Sequence, residues 1–278
     1  LLFSIVFSFS FSQNTVTVVN GDLEAPFPIY TYYNYSYGET IYTPSEIGSI
    51  GKIDQIQLEF DGSLTENRTI KVFIGHTSKS SFSSKSDWVS TSSMTEVFSG
   101  TLPTAAVGYD YFIPITLSQS FNYNNSDNLI IAVQDNTGSN LNSSLSRFLC
   151  AASSDSSART LVKYTDSGQI SSTSPPEATG RYAYSPSFKV RLNPLILVGS
   201  NLQNLNYSSG DGPSFAKTTT VSGGNLSANI TVTAPTNFEV SLNGSSFSNS
   251  LTLTQSSGSV GSTTIYARLK SGLSADSY

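Results

Sequence analysis

The chain has 278 residues, enough for two domains that each bury a core, and a formal net charge of −5. Its 14 lysines and arginines are scattered, which argues against nucleic-acid binding, because phosphate contacts need clustered positive charge. The one cysteine, Cys150, excludes an intrachain disulfide and a thiolate metal cage. Because Cys150 follows Phe148 and Leu149, we predict that it is a small buried hydrophobic residue.

Residues 1–12 are predicted to be the remnant of a signal peptide. The apolar run LLFSIVFSFSFS is shorter than the ~20 residues of a membrane span, and Ser10 and Ser12 are small residues before a cleavage site at Gln13. A buried first strand is the alternative interpretation. No other segment of the sequence qualifies as a membrane span. We therefore expect an exported protein, secreted or at the cell surface, with a mature chain from near Gln13.

The segment PIYTYYNYSYGETIY, residues 28–42, contains six tyrosines. Strand alternation places Tyr33, Tyr35 and Tyr37 on one face. Tyr30 and Tyr32 fall on the other face, which predicts a bulge or bend between residues 32 and 33. Tyrosine rings pack well while their hydroxyls reach water, so the three-residue row is predicted either to pack on the sheet or to line a ligand groove.

Apolar and polar residues alternate through most of residues 13–194, which predicts antiparallel strands packed on one face. The apolar residues that share a face are Ile56, Leu58 and Phe60; Ile70, Val72 and Ile74; Leu129, Ile131 and Val133; and Phe188, Val190 and Leu192. The best candidate for a helical turn is SKSDWVS, where Ser84 and Asp87 form a possible capping box. Trp88 within it is predicted to be buried or, if exposed, to stack on a ligand. Trp88 and the three tyrosines are therefore the candidate ligand-binding residues.

The sequence offers few groups for catalysis or metal binding. Any Ser-His-Asp arrangement needs the sole histidine, His76, and there is no GxSxG elbow, so we expect a turn or capping role. A pair of carboxylates for glycoside hydrolysis is possible, but their spacing in the sequence says nothing about their distance across a sandwich, so we expect each to be a solvated or turn residue. The oxygen-rich stretches Asp61-Gly62 and QDNTGSN, with Asp135 and Asn136, suit a structural calcium ion, although turn chemistry explains them without one. We expect no catalytic residue and no other cofactor.

A change in composition at 193–196 predicts a domain boundary, because most tyrosines precede residue 190. After it, alternation restarts, and Asn243-Gly244 predicts a hairpin. The alternating apolar residues are Leu226, Ala228, Ile230 and Val232; Phe238, Val240 and Leu242; and Ile265, Ala267 and Leu269. About five strands are visible where an immunoglobulin-like sandwich needs about seven. We therefore expect a C-terminally truncated sandwich within a longer protein.

Two sets of motifs resemble modules of known proteins. Through NITVTAPTNFEVSL and TIYARL, residues 195–278 resemble the immunoglobulin-like repeat of large bacterial proteins exported by the type IX secretion system, without that repeat's final strands. Through YYNYSYGETIYTPSEIG, VFIGHTSKSSFSSKSDWV, MTEVFSG and DNLIIAVQDNT, residues 25–192 resemble an accessory module of the same proteins. The resemblance implies β-sandwich modules of a surface protein whose chemistry lies in another domain.

The expected fold class is all-β, with two consecutive antiparallel β-sandwiches: residues 13–194 jelly-roll-like and residues 195–278 immunoglobulin-like. The expected function is non-catalytic adhesion, or binding of a polysaccharide or a surface protein. One alternative is a carboxylate-dependent glycoside hydrolase, which needs two acids about 5–9.5 Å apart in a cleft. The other is a spacer that binds no ligand and lies beside a catalytic domain elsewhere.

Overall fold

The computed structural model describes residues 14–64, 66–102, 105–141, 147–208 and 210–276, without the side chains of 63 and 105–110. The predicted signal-peptide remnant, residues 1–12, lies outside the described residues. The chain is nearly all β, with antiparallel sheets, which confirms the predicted fold class. It divides after Leu192 into two compact units, and each is described separately. No described helix is long and apolar enough to cross a membrane.

The first unit, Asn14–Leu192, contains two antiparallel sheets. In chain order its elements are β1 (Asn14–Val19), β2 (Leu23–Ala25), β3 (Tyr35–Tyr42), α1 (Pro44–Ile47), β4 (Gly51–Leu64), β5 (Arg68–Thr77), a 3₁₀ turn (Thr91–Ser93), β6 (Thr95–Leu102), β7 (Ala105–Tyr123), β8 (Asn128–Asp135), β9 (Arg147–Ala152), β10 (Thr160–Thr165), β11 (Gly180–Tyr182), β12 (Tyr184–Pro186) and β13 (Phe188–Asn193). The seven-stranded sheet has the order β1-β13-β4-β9-β12, with β2 also paired to β9 and β7 to β4. The six-stranded sheet has the order β11-β10-β3-β8-β5-β6.

The inner faces of the two sheets pack against each other in one core. All twelve apolar residues that alternation assigns to one face of β4, β5, β8 and β13 lie in this core and are at most 5% exposed, which confirms that part of the prediction. Phe188 stacks on Tyr42 with their ring centroids 4.9 Å apart. Each buried aliphatic or aromatic side chain contributes about 1.5–3 kcal/mol, so this core holds the sandwich together.

The six-stranded sheet is also covered on its outer face, where the prediction of a polar face is wrong. Two segments without strands, residues 78–94 and 166–179, lie over β3 and β8; we call them the outer loops. They bury Ile41, Ile130 and Leu161 beneath Phe82. The run LIIAV in β8 is therefore the continuous apolar pattern of a strand buried on both faces.

A short helix forms at a different place from the predicted one. Thr43 precedes α1 and donates from both its N–H and its hydroxyl to Glu46 Oε2, at 2.6 and 2.8 Å. These bonds satisfy groups that a helix N-terminus leaves open, as a Thr-x-x-Glu capping pattern does. At SKSDWVS there is a turn and no helix. There the Asp87 N–H donates to the Ser84 carbonyl at 3.3 Å.

The second unit, from Asn193 on, has a smaller core between two sheets. Its strands are β14 (Leu195–Val198), β15 (Lys217–Gly224), β16 (Ile230–Thr233), β17 (Phe238–Ser241), β18 (Ser250–Leu253) and β19 (Val260–Leu269). The order β14-β15-β19-β17 forms one sheet, and β16-β18 forms the other. The core residues that the alternation predicts include Ile230, Val232, Val240 and Ile265, all at most 2% exposed.

Two expectations for the second unit are wrong in detail. Ala228 is exposed because β16 starts only at Ile230, and Leu242 is 49% exposed because β17 ends at Ser241. Asn243-Gly244 forms a turn, with Gly244 at a φ of 71°, and on either side of it Val240 and Ser248 exchange two backbone hydrogen bonds of 2.8 and 2.9 Å as an antiparallel bridge. The hairpin is limited to this bridge, because β17 pairs with β19 while β18 pairs with β16 in the other sheet.

Candidate functional site

The tyrosine-rich segment makes a turn before it enters the sheet. The N–H of Tyr33 donates to the carbonyl of Tyr30 at 3.0 Å, and β3 begins only at Tyr35. The bend predicted between residues 32 and 33 is part of this turn. Tyr33 therefore lies outside the strand that contains Tyr35 and Tyr37, and the predicted row of three tyrosines on one face is wrong.

Four tyrosine rings meet at this turn: Tyr30, Tyr32, Tyr33 and Tyr164, which we call the tyrosine cluster. The ring of Tyr164 in β10 lies 4.8 Å from that of Tyr30, nearly perpendicular to it, and 4.5 Å from that of Tyr33. The Tyr32 ring lies 5.8 Å from the Tyr33 ring and is 47% exposed. Edge-to-face and tilted rings at these distances attract each other, so the cluster is a packed aromatic surface open to solvent.

Buried groups of the sandwich hold this turn in place. The guanidinium of Arg68 is fully buried, pairs with Asp135, and donates from Nη2 to the Tyr33 carbonyl at 3.2 Å. The N–H of Leu141 donates to the carbonyl of Thr31 at 2.9 Å. Because these partners belong to or adjoin the ends of β5 and β8, the aromatic surface has a fixed backbone beneath it.

The hydroxyls of Tyr164 and Tyr182 stay protonated at neutral pH. Burial, and then the neighbouring phenols of Tyr182, Tyr33 and Tyr30, raise the pKa of Tyr164. Burial and the phenol of Tyr30 likewise raise the pKa of Tyr182 in β11. Each hydroxyl can therefore donate one hydrogen bond and accept others, so the surface suits an uncharged polar ligand.

A pocket of about 270 Å³ opens beside the cluster, at the edge where the two sheets meet; we call it the edge pocket. Its lining is Leu23, Glu24, Ala25, Pro26, Phe27, Cys150, Tyr182 and Tyr184. Ala25, Phe27 and Cys150 are at most 4% exposed and form an apolar floor. Tyr184 is 37% exposed, and the partly exposed Glu24 carboxylate lies 3.5 Å from the Nε of Arg147.

Comparisons with known proteins identify no relative of this chain. No family model, no curated protein and no solved structure matches the chain. The tyrosine cluster and the edge pocket are therefore interpreted from their own contacts, burial and charge.

Tyr37 belongs to the packing beneath the outer loops, which corrects its candidacy as a binding residue, and Trp88 in the first outer loop packs on it. Tyr37 is 0% exposed, its hydroxyl donates to Glu39 Oε1 at 2.7 Å, and its ring lies 5.2 Å from that of Trp88. Trp88 is half-buried and donates from Nε1 to the Pro176 carbonyl at 3.0 Å. Tyr37 has no face for a ligand, and the Trp88 ring is engaged with it.

Tyr35 lies between the tyrosine cluster and the packing beneath the outer loops. It is partly exposed at the start of β3, and a Cβ placed on Gly138 would lie 3.2 Å from its hydroxyl. The Gly138 N–H donates to the Asn34 carbonyl at 3.0 Å, and its φ of 79° suits glycine. Tyr35 therefore packs on the loop that supports the turn. Of the predicted binding residues, Tyr33 alone belongs to the tyrosine cluster.

The carboxyl with the most altered acidity, Glu39, is closed off from substrate. It is 0% exposed on the outer face of β3, where Oε2 accepts from the Val89 N–H at 2.8 Å and Oε1 accepts from Tyr37. Burial raises the pKa of Glu39 to about 7, although the hydrogen bonds from Val89 and Tyr37 and the charge of Lys79 act in the opposite direction. A pKa near neutrality suits a general acid, but this carboxyl has no accessible face.

His76 and Cys150 are held in structural surroundings. The Nε2 of His76 in β5 accepts from the Asn124 N–H at 3.3 Å, and its ring lies 4.8 Å from that of Phe121. Burial lowers the pKa of His76, which favours the neutral ring that this bond requires. Cys150 is 2% exposed, as predicted, and burial raises the pKa of its thiol to about 11. The thiol is therefore protonated at neutral pH.

Of the residues considered for calcium, Asp135 is engaged by other partners, while Asp61 Oδ1 and Asn136 Oδ1 are buried without a hydrogen bond to any described residue. Asp135 pairs with Arg68 and also accepts from the N–H of Thr137 at 3.0 Å. Asp61 lies in β4, on another sheet. Within the ranges that the structure describes, no three His, Cys, Asp or Glu side chains come together as metal ligands.

Sequence reasoning missed Tyr164, Tyr182 and Tyr184. Tyr164 reaches the cluster because β10 pairs with β3, which precedes it by more than a hundred residues. The sequence feature that could have indicated Tyr182 and Tyr184 is the motif GRYAYS, in which the two tyrosines are two positions apart. Alternation alone would put both on one face of one strand, whereas the chain changes sheet between β11 and β12.

Proposed function

We propose that the first unit is a non-catalytic module that binds a polysaccharide at the tyrosine cluster. The observation that carries this proposal is a packed group of four tyrosine rings, open to solvent at Tyr32 and fixed by a buried ion pair. Isolated exposed apolar residues occur all over protein surfaces. Contiguous exposed aromatic residues are less common and are typical of binding surfaces.

The chemistry of the cluster matches a sugar chain. The C–H faces of a pyranose ring pack on an aromatic ring, and its hydroxyls exchange hydrogen bonds with phenols. Because the turn is held by Arg68 and Leu141, little conformational entropy is lost when a ligand binds. The proposed binding uses no metal ion and no cofactor.

The wider role follows from the resemblance of residues 25–192 and 195–278 to modules of exported bacterial proteins. We propose that the chain is part of a secreted or surface protein and mediates adhesion to a polysaccharide. Binding to a surface protein through the same cluster is the second candidate, because tyrosines are also frequent at protein interfaces.

The test is affinity electrophoresis and polysaccharide pull-down with the full chain, on an array of insoluble and soluble glycans. Tyr32→Ala and Tyr33→Ala should each weaken retention about tenfold, which corresponds to a loss of about 1.4 kcal/mol of binding free energy. Tyr111→Ala is the matched control, because Tyr111 is 45% exposed on β7. It should leave retention unchanged.

The alternatives give different results in the same assay. A spacer that binds nothing retains no glycan above the level of albumin. A glycoside hydrolase releases reducing sugar ends from the retained glycan with time. A protein-binding module fails on every glycan but is captured by surface proteins, and Tyr32→Ala abolishes that capture.

A further inference from the structure

We infer that the edge pocket holds the terminal sugar of the bound glycan and selects a sugar that carries a methyl group, as an acetamido or a deoxy sugar does. This inference rests on the proposed function, because it concerns the glycan that the tyrosine cluster would bind. It specifies the direction in which the glycan binds and the kind of terminal sugar that is selected.

The size of the pocket suits one ring. Its volume of about 270 Å³ lies just below the range of roughly 300–1,000 Å³ that is usual for pockets of drug-sized ligands. Its floor is made of Ala25, Phe27 and Cys150, which are at most 4% exposed, so a ring that points into the pocket meets a wall of buried residues. A sugar chain cannot continue through this wall, so a ring that points into the pocket is terminal.

The pocket and the tyrosine cluster are continuous. Tyr182 lines the pocket, and its ring lies 5.3 Å from that of Phe27. Tyr182 and Tyr164 both pack against the small apolar cluster that contains Phe27, Cys150 and Val162. A chain whose end enters the pocket can therefore place its following rings on the tyrosine cluster.

The floor of the pocket explains the selectivity. A sugar hydroxyl that points at the floor meets the side chains of Ala25 and Cys150, and neither side chain is a strong hydrogen-bond acceptor. Burying a hydroxyl without a partner is unfavourable, whereas burying a methyl group against the same atoms is favourable. The ring that fits best therefore turns a methyl substituent towards the floor.

The mouth of the pocket supplies the polar contacts. The Glu24 side chain is 46% exposed and accepts hydrogen bonds, so it can bind a sugar hydroxyl or an acetamido N–H. The Tyr184 ring beside it is 37% exposed and offers an aromatic face with a hydroxyl. Polar groups at the rim and an apolar floor orient the terminal ring in one direction.

Three free sugars test the selectivity on the full chain by titration monitored with NMR: N-acetylglucosamine, fucose and, as the sugar without a methyl group, glucose. At least one of the two methyl-bearing sugars should bind about tenfold more tightly than glucose, since one well-placed methyl group is worth about that factor. The first probe tests the acetamido group and the second tests the deoxy methyl group. Equal affinity for all three overturns the inference.

Variants locate the selectivity in the pocket. Cys150→Ser and Ala25→Ser each place a hydroxyl in the floor and should remove most of the preference, whereas Glu24→Ala and Tyr184→Ala at the exposed mouth should weaken binding of all three probes alike. Tyr32→Ala should weaken binding of longer oligosaccharides while the preference among the three probes stays. A preference that survives both floor variants, in chains that keep the thermal midpoint of the natural protein, overturns the inference.

The two proposals fail in different ways. If the protein retains a polysaccharide through Tyr32 but binds the three free sugars equally, the pocket inference alone is wrong. If the protein binds no glycan of any kind, both the proposed function and the pocket inference are wrong.

Discussion

The Nη2 atom of Arg68 donates a hydrogen bond of 3.2 Å to the carbonyl oxygen of Tyr33. It thereby connects a fully buried ion pair in the sandwich to the turn that carries the tyrosine cluster. The Nε atom of the same guanidinium lies 3.0 Å from Asp135 Oδ2, and Nη1 donates to the Ser139 carbonyl at 2.7 Å. Because the guanidinium has three separate acceptors, its position is fixed, and so is the position of the turn.

Replacing Arg68 should therefore destabilise the first unit strongly. Arg68→Ala leaves the buried Asp135 carboxylate without its counter-charge, at an expected cost of about 3–5 kcal/mol in the free energy of unfolding. Urea unfolding of the full chain measures this cost. Lys71→Ala is the control, because the exposed Lys71–Glu96 pair should be worth less than about 1 kcal/mol.

A double variant separates stability from binding. Arg68→Met with Asp135→Leu removes both buried charges and should recover most of the lost stability, since apolar pairs often replace buried ion pairs without loss. The Tyr33 carbonyl still lacks its donor, so retention on the polysaccharide should stay low. Full recovery of retention by the double variant would show that the ion pair does not position the turn.

Glu39 should contribute a loss of stability of the first unit as the pH rises from 4.5 to about 7, opposite in sign to the contribution of His76. The pKa of Glu39 is raised from 4.5 to about 7, so in this window the folded protein binds more protons than the unfolded chain. The free energy of unfolding therefore decreases as the pH rises, by on the order of 3 kcal/mol in total. Urea unfolding at a series of pH values measures the slope.

Glu39→Gln should remove this contribution, because the amide does not titrate, so the difference in unfolding free energy between the natural chain and the variant should decrease from pH 4.5 to about 7. Glu96→Gln is the matched control: Glu96 is exposed, so this variant should show the same pH dependence as the natural chain. A difference that stays constant over this range would contradict the prediction. The test is independent of any ligand, so it examines the packing beneath the outer loops alone.

The sandwich core could be predicted from sequence because alternation is a local property. Leu58, Val72 and Val190 are buried where period two places them. Ile130 and Ala132 were not predicted as core residues, because their burial depends on the outer loops. The sequence of these loops shows no apolar alternation from which their position could be predicted. Ala228 and Leu242 kept the alternating pattern just beyond the ends of their strands, where the pattern no longer implies a sheet.

The candidate site was predicted only in part for a similar reason. The tyrosine-rich segment was recognised, and so was the bend within it, but the bend is a turn that removes Tyr33 from the face of Tyr35 and Tyr37. The partner ring of Tyr164 comes from a strand distant in sequence. Which strands pair across such distances depends on the packing of the whole sandwich, and residue spacing within one segment does not contain it.

Acid should weaken the first unit through His76. Burial lowers the pKa of His76 from 6.5, so below that pH the unfolded chain binds a proton more readily than the folded protein does. The stability that the neutral ring contributes is lost as the pH falls below 6.5, because a proton on Nε2 would displace the N–H of Asn124. A proton NMR titration of this sole histidine should give a midpoint below 6.5, and a higher midpoint would contradict the prediction.

The fluorescence of the sole tryptophan should not respond to the proposed ligand. Trp88 packs on Tyr37 beneath the outer loops and donates to the Pro176 carbonyl, so it contributes to stability and does not touch a ligand at the tyrosine cluster. Trp88→Phe should lower the midpoint of thermal unfolding and leave retention on the polysaccharide within about twofold. Tyr32→Ala should leave the midpoint unchanged and lower the retention. If a saturating glycan shifts the Trp88 emission, or if Trp88→Phe abolishes retention while the midpoint stays unchanged, Trp88 belongs to the binding surface. In that case the outer face of the six-stranded sheet, and not the sandwich edge at Tyr32, is where the glycan binds.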